Sequence, residues 1–171
     1  FFEKKASKNS FESITPHLDI IYEDENIMLL NKRPGVSVHE DEDGGNNNLI
    51  THIQAYLYGK GEYSPEDEQS FAPALCNRID RNTAGIVIAA KNAEALRVMN
   101  QKIKDRELDK RYLAIVEGTP RPAKGSLKGY LFKDAKKNRV FVTDTPQPGA
   151  KSCHTDYKVL AYAEGLSLVE C

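Results

Sequence analysis

Tryptophan is absent from this chain of 171 residues, and cysteine is scarce. The three cysteines, Cys76, Cys153 and Cys171, have no regular spacing and form no Cys-x-x-Cys pair, which argues against a disulfide framework or a zinc site. We expect free thiols in a reducing cytoplasm. The sequence has no run of about 18 apolar residues, so it predicts neither a membrane-spanning helix nor a membrane partner.

An excess of charge of one sign is also lacking, because the formal net charge is −1, but the charges are unevenly distributed. Residues 1–77 carry 6 Lys and Arg against 14 Asp and Glu, whereas residues 78–139 carry 16 against 7. Binding a polyanion requires local positive potential rather than a positive protein. The middle third is therefore where we expect a polyanion to bind, although a solvated lysine-rich face has the same composition.

Hydrophobic periodicity predicts many short strands and two helices. Apolar residues at helical spacing predict one helix from about Leu49, capped by Asn47 or Asn48, and a second over Asn92–Asp105. Because strands outnumber helices and several connections are short, the sequence predicts an α+β domain with a mainly antiparallel or mixed sheet and flanking helices. The predicted strands cover residues 20–22, 26–31, 85–90, 110–117, 155–161 and 166–170.

A hairpin with a basic tip is predicted in the second half of the chain. Tyr130–Phe132 and Val140–Thr143 are typical of paired strands, and the seven residues between them include four cations. Such a tip suits the phosphate groups of a polyanion. We hypothesise that the phosphate-binding residues are Lys133, Lys136, Lys137 and Arg139.

An acidic residue between two arginines is the most unusual local feature. Asp80 lies between Arg78 and Arg81, just before the strand over residues 85–90. Neighbouring cations keep a carboxylate ionised, and an ionised, positioned carboxylate acts as a nucleophile or a general base. A structural Arg–Asp ion pair at the start of a strand uses the same residues, and the local chemistry taken alone favours that interpretation.

Four segments together resemble the RluA-type pseudouridine synthases, which isomerise uridine in RNA. Asn77–Gly85 is similar to the family signature His-Arg-Leu-Asp-x-x-Thr-Ser-Gly. Asn31–His39 is similar to the upstream segment Asn-Lys-Pro-x-Gly-x-x-Val-His, and Lys91–Lys104 to the helix that follows the signature. Lys110–Ala114 is similar to the Lys-x-Tyr-x-Ala strand. The segments occur in the family's order, so the resemblance implies the family's fold and reaction.

The resemblance implies a role for three residues. Asp80 matches the catalytic aspartate, Arg78 the arginine that replaces the flipped uridine in the stack, and Tyr112 the tyrosine that packs on the flipped base. Arg81 lies at a variable position of the motif, so its contact with a phosphate is an electrostatic hypothesis. The reaction requires base flipping, changes no oxidation state and imports no group, so no cofactor is expected. The missing phosphate loop and metal-ligand cluster agree with that.

The chain also departs from the family. Asn77 and Ala84 stand where the family usually has histidine and serine. Asn77 still offers a donor and an acceptor, so we expect a supporting hydrogen bond to survive. Arg33 is inserted where the family often goes directly from lysine to proline. The implied partner is RNA, with large-subunit ribosomal RNA ahead of transfer RNA, and the implied state is a monomer.

The family's late Gly-Arg-x-His-Gln-Ile-Arg segment would follow Gly165–Glu170, and the sequence has no counterpart. We therefore expect a catalytic domain over residues 16–171, truncated at its C-terminus, after a lead-in or linker over residues 1–15. Two alternatives stay open. One is a non-catalytic RNA-binding module or inactive fragment, which needs the basic stretch but not Asp80. The other is an aspartate-based hydrolase, which requires a second carboxylate, a metal or a phosphate loop.

Overall fold

The computed structural model describes residues 11–39, 47–134 and 139–171. The chain divides into two compact units, which we call the N-terminal unit (through Leu108) and the C-terminal unit (Asp109–Cys171). This division does not test the predicted domain boundaries, which stay predictions. Within the described ranges, no helix is long and apolar enough to cross a membrane.

The N-terminal unit contains a four-stranded antiparallel sheet with the strand order β1-β2-β4-β3. Both predicted helices and the predicted strand over Gly85–Ala90 are confirmed. In chain order, the elements of this unit are β1 (Ile20–Glu23), β2 (Ile27–Lys32), α1 (Leu49–Gly59), β3 (Ala74–Leu75), β4 (Gly85–Ala90) and α2 (Ala93–Lys104).

Both helices begin at an asparagine cap. Asn48 Oδ1 accepts a hydrogen bond from the Thr51 N–H over 3.1 Å, and Asn92 Oδ1 accepts one from the Ala95 N–H over 2.8 Å. Each bond satisfies an N–H group that has no partner within the helix, and such a cap contributes about 1 kcal/mol. The caps fix where the helices start relative to the strands that precede them.

The core of the N-terminal unit joins one face of α1 to alternate residues of the sheet. Leu49, Ile53 and Leu57 are buried on α1, and Met28 and Leu30 are buried on β2. Burial of one such side chain contributes about 1.5–3 kcal/mol. Because side chains alternate along a strand, β2 turns every second residue into this core. The next residue in that series, at the end of β2, is a lysine.

An ion-pair network links β1 to both helices. Glu23 accepts hydrogen bonds from Lys60 Nζ over 2.8 Å, from Lys91 Nζ over 2.9 Å and from the Tyr56 hydroxyl over 2.8 Å. Burial raises the pKa of Glu23, but the three hydrogen bonds outweigh burial and lower the pKa to about 2. Glu62 pairs with both lysines as well. The network therefore fastens β1 to the end of α1 and to the start of α2.

The C-terminal unit contains a five-stranded antiparallel sheet with the strand order β5-β9-β8-β6-β7. The predicted hairpin is confirmed as the pair β6–β7. With the first sheet and the two helices, this arrangement confirms the predicted α+β class. In chain order, the strands are β5 (Leu113–Glu117), β6 (Lys124–Asp134), β7 (Arg139–Thr143), β8 (Lys151–Ala163) and β9 (Leu166–Glu170).

Candidate active site

The Asp80 loop, residues 77–84, connects β3 to β4 and alternates between inward and outward side chains. Ile79 is buried in the core, whereas Arg78 and Asp80 are exposed. Alternation of this kind is typical of an extended segment, so burial of Ile79 turns both of its neighbours outward. Gly85 follows the loop with a φ of +136°, a conformation that residues with side chains rarely adopt.

The side-chain amide of Asn77 fastens the start of the loop to β4. Its Nδ2 donates to the Ile86 carbonyl over 3.2 Å, and its Oδ1 accepts from the Ile88 N–H over 2.8 Å. A primary amide presents a donor and an acceptor as a peptide group does, so Asn77 continues the pairing of β3 with β4. The hydrogen bond expected of Asn77 is therefore present.

The side chain of Lys32 is buried directly behind the Asp80 loop. Lys32 is 2% exposed, and its Nζ donates to the carbonyls of Val36 over 2.8 Å, Arg81 over 2.9 Å and Arg33 over 3.2 Å. Burial lowers the pKa of Lys32, and the negative charge of Asp80 opposes that shift. Lys32 therefore ties the loop to the segment that follows β2, and its charge lies within electrostatic reach of the Asp80 carboxylate.

Arg81 joins the same two segments from the surface. Its Nε donates to Ser37 Oγ over 3.0 Å, and its backbone carbonyl accepts from the Gly35 N–H over 2.8 Å. The guanidinium of Arg81 thus makes a structural contact, and its predicted contact with a phosphate stays a prediction. Apart from their positions in two of the motif segments, nothing in the sequence indicated these contacts of Lys32 and Arg81.

Asp80 and Arg78 line a cavity of about 210 Å³ together with His39. Burial and the positive charge of Arg78 lower the pKa of His39, so its imidazole is neutral at pH 7. A carboxylate, a guanidinium and a neutral imidazole therefore face one space within the N-terminal unit. This set of groups suits a polar, planar ligand. No role for His39 was predicted, although it ends the Asn31–His39 motif segment.

Tyr112 belongs to the C-terminal unit, where it immediately precedes β5. Its N–H donates to the Cys171 carbonyl over 2.8 Å, and the Cys171 N–H donates back to the Tyr112 carbonyl over 2.9 Å. Tyr112 itself is 43% exposed. Its backbone is thus held in the sheet while its ring is available for contact, and its packing on a flipped base stays a prediction.

The basic tip of the hairpin, residues 133–139, has its two described cations on opposite faces. Asp134 is paired with Arg139, and Lys133 is paired with Val140. Because paired residues share a face and successive residues alternate, the exposed side chains of Lys133 and Arg139 project from opposite faces. The structure therefore does not bring these two predicted phosphate-binding residues together. The other two predicted residues lie outside the described part of the chain: Lys136 and Lys137.

A serine, a histidine and an aspartate form a second cluster, on the C-terminal sheet. Ser126 Oγ lies 2.6 Å from His154 Nε2, and Asp156 Oδ1 lies 3.1 Å from the same nitrogen. In a nucleophilic serine relay, the carboxylate binds the ring nitrogen that the serine does not contact. Because both oxygens share Nε2, this cluster is not arranged as such a relay.

Known proteins resemble this chain over most of its length. The family model for RNA pseudouridylate synthase matches residues 26–171. The chain is 33% identical over 145 residues to ribosomal large subunit pseudouridine synthase D of Borreliella burgdorferi, covering 82% of this chain and 42% of that protein. It is 29% identical over 175 residues to ribosomal large subunit pseudouridine synthase C of Escherichia coli, covering 98% and 51%. The chain thus spans about half the length of these curated relatives.

Two solved human structures share the fold. RNA pseudouridylate synthase domain containing 4 has a TM-score of 0.68 at 21% identity, covering 88% of this chain and 57% of that one. RNA pseudouridylate synthase domain containing 1 has a TM-score of 0.69 at 18% identity, covering 92% and 61%. At these identities the likeness concerns the fold alone, and it agrees with the α+β architecture.

Proposed function

Because this chain belongs to the RNA pseudouridylate synthase family, we propose that it isomerises uridine to pseudouridine in RNA, with Asp80 as the catalytic carboxylate. The observation that carries the proposal is that Asp80 and Arg78 point outward into one cavity while Ile79 between them is buried. All three lie in the segment that resembles the family signature. The buried charge of Lys32 behind the loop supports the proposal, because it fixes the backbone next to Asp80.

The proposed reaction breaks the N1–C1′ bond of a uridine, turns the base and joins C5 to C1′. The base must leave the stack, which requires a pocket and a group that fills the gap. We propose that the side chain of Arg78 fills the gap left in the stack, because a guanidinium plane stacks on bases. Asp80 adds either to C6 of the base or to C1′ of the ribose, and both routes stay open. Tyr112 packs on the flipped base and handles the proton that C5 loses.

Two further residues of the N-terminal unit contribute to this site. The neutral imidazole of His39 offers a hydrogen-bond donor and an acceptor to the edge of the base in the cavity. Lys32 is a positioning residue, because it acts on Asp80 through the Arg81 carbonyl rather than on the base. The proposed chemistry requires no cofactor, because no oxidation state changes and no group is imported.

The substrate we propose is large-subunit ribosomal RNA, with transfer RNA as the second choice. Two of the relatives are named for the large ribosomal subunit. Residues 78–139 also carry the excess of positive charge that polyanion binding requires. We further propose that the protein acts in the cytoplasm as a monomer.

Pseudouridine formation on total RNA from cells that lack the corresponding gene tests the proposal. The 171-residue chain and the full product of its gene are assayed, each in wild-type form and as Asp80→Asn. The control is Asp144→Asn, which neutralises an exposed carboxylate outside the cavity. We expect wild type and control to modify the same site, and Asp80→Asn to react about a thousandfold more slowly or worse. Equal rates for Asp80→Asn and wild type would remove Asp80 from the chemistry.

RNA binding separates the enzyme from the binding-module alternative. We expect Asp80→Asn to bind RNA with nearly unchanged affinity, because the substitution removes a charge but no contact with the phosphate backbone. If the wild-type protein binds RNA as tightly as Asp80→Asn does, but neither the 171-residue chain nor the full gene product forms pseudouridine, a non-catalytic RNA-binding module is the better description.

A further inference from the structure

A second and larger cavity lies on the N-terminal unit, outside the space that Asp80 and His39 face. Its volume is about 570 Å³, within the range of about 300–1,000 Å³ that is typical of small-molecule sites. Leu18, Leu30 and Leu49 contribute apolar surface, and Asn31 and Asn47 contribute amide groups. Apolar surface combined with a few amides is the lining that a nucleobase requires, because its faces are apolar and its edges are polar.

The charge of this cavity is mainly positive among its described residues. Arg33 lines the cavity and is exposed, and no hydrogen-bond or ion-pair partner for its guanidinium is found within the described ranges. Asp19 is the acidic residue of the described lining, and its Oδ2 accepts from Asn31 Nδ2 over 2.9 Å. Lys32 also lines the cavity, but its ammonium is bound to carbonyls. Arg33 is therefore the cation available to an anionic group.

Two imidazoles border the same cavity. His52 Nδ1 accepts from the His17 N–H over 3.2 Å, and His52 Nε2 lies 2.7 Å from Asn47 Oδ1. Since Nδ1 accepts, Nε2 carries the proton and donates to Asn47, which fixes the buried ring of His52 as a neutral tautomer. The ring of His17 is exposed, with its centroid 6.2 Å from that of His52. An exposed aromatic ring and an available guanidinium that line the same cavity suit stacking on a base and pairing with a phosphate.

One chain segment separates the two cavities. Asn31, Arg33 and Val36 line the larger cavity, whereas Ser37 and His39 line the smaller one. The Pro-Gly turn within this segment is bound to the Asp80 loop by the hydrogen bond from Gly35 to Arg81. A ligand in the larger cavity and a ligand beside Asp80 would therefore both contact residues of this one segment.

We propose that the larger cavity binds a nucleotide adjacent to the target uridine in the same RNA strand, with Arg33 pairing with its phosphate and His17 stacking on its base. This inference rests on the proposed function, because the target uridine is the base placed beside Asp80. Arg33 departs from the family pattern, which has proline directly after the lysine, so the contact is not implied by the resemblance.

The four histidines of the chain provide separate reporters for a test by NMR. His17 and His52 report on the larger cavity, His39 on the Asp80 cavity, and His154 on the C-terminal sheet. Uridine 5′-monophosphate and inorganic phosphate are titrated separately into wild type, Arg33→Gln and Arg97→Gln. Arg97 is a matched control, because it is an exposed arginine on α2 paired only loosely with Glu94, at 3.9 Å.

We expect the nucleotide to shift the His17 and His52 resonances in wild type and in Arg97→Gln. Its affinity should fall about tenfold in Arg33→Gln, as expected for the removal of one charge-assisted pair. Unchanged His39 and His154 resonances in the ligand-free Arg33→Gln protein establish that the variant is folded.

Three results would overturn the inference. These are no response of His17 and His52, equal affinity in Arg33→Gln and wild type, or shifts that inorganic phosphate reproduces fully at the same affinity. A response of His39 alone overturns the inference but leaves the proposed function intact. Conversely, nucleotide binding at His17 and His52 stands even if Asp80→Asn proves as active as wild type in the pseudouridine assay, which would overturn the proposed function alone.

Discussion

The ammonium of Lys32 and the carbonyl of Arg81 lie 2.9 Å apart, although the two residues are separated by 49 positions in the chain. This hydrogen bond joins the end of β2 to the residue that follows Asp80. It places a buried positive charge behind the carboxylate and leaves the front of the loop open to the cavity. The geometry of Asp80 therefore depends on a side chain that does not itself face that cavity.

Replacing Lys32 tests this dependence. Lys32→Met keeps the length of the side chain but leaves carbonyls without their donor, and an unpaired buried acceptor costs about 1–3 kcal/mol. We expect the free energy of unfolding in urea to fall by about 2 kcal/mol. Pseudouridine formation should slow at least about tenfold with little change in RNA affinity. Lys151→Met, at an exposed position of β8, should leave both quantities unchanged. Wild-type stability in Lys32→Met would contradict this account.

Asn77 supports a second prediction, because its amide is bound at both ends to β4. Asn77→Ala removes two hydrogen bonds, each contributing about 0.5–1.5 kcal/mol, so we expect thermal or urea unfolding to show a destabilisation of about 1–2 kcal/mol. Asn77→His restores the residue that the family usually has and should recover part of that stability. Asn100→Ala, on the exposed side of α2, should change stability by no more than about 0.5 kcal/mol. An Asn77→Ala protein as stable as this control would show that the two bonds contribute nothing.

The Glu23 network predicts a pH dependence of stability. The pKa of Glu23 falls from 4.5 to about 2 on folding, so the carboxylate contributes stability that is complete above about pH 5. That stability, about 2–3 kcal/mol, is lost as the pH falls from about 4.5 to 2, because the folded protein must then take up the proton.

The variant Glu23→Gln should be less stable than wild type at pH 7 and should show a flatter decline between about pH 5 and 2. The control Glu66→Gln neutralises an exposed carboxylate in the loop after α1 and should keep the wild-type profile. Urea unfolding at a series of pH values measures the free energy of unfolding of each protein. Parallel curves of this free energy against pH for wild type and Glu23→Gln would contradict the prediction.

The basic hairpin predicts a change in the salt dependence of RNA binding. Substitution of all four cations by glutamine, at Lys133, Lys136, Lys137 and Arg139, should weaken binding. It should also reduce the slope of log K against log salt by about 0.7–0.9 for each phosphate group that the variant no longer binds. Because Lys133 and Arg139 project from opposite faces, the single substitutions should have unequal effects. An unchanged slope in the fourfold variant would exclude the hairpin as an RNA-binding element.

The features that the sequence predicted correctly are those encoded locally. The sequence predicts Asn47 or Asn48 as the cap of the first helix and begins the second helix at Asn92, because a cap uses residues within one turn; the structure has Asn48 and Asn92. The strand over Gly85–Ala90 was recognised because its apolar run is bounded by the loop and the second cap. The α+β class follows from the number and order of such elements, so the sequence could predict it as well.

The features that the sequence did not reveal depend on contacts between distant segments. Lysine is usually a surface residue, and the burial of Lys32 follows only from its position in the alternating series of β2 above the core. The opposite faces of Lys133 and Arg139 follow from the register of β6 with β7, which the residue types alone do not fix. The residue types also do not predict that Glu23 accepts hydrogen bonds from Lys60 and Lys91.

Because the side chain of Ile79 is buried, the number of residues in the Asp80 loop is constrained more tightly than the identity of its outward residues. Substitutions at the outward positions alter chemistry and leave the backbone path intact. Inserting one residue between Ile79 and Asp80 would invert the phase of the segment and direct the carboxylate toward the protein interior. Among engineered or natural variants of this loop, we therefore expect exchanges of residues to be accepted far more often than single-residue changes in length.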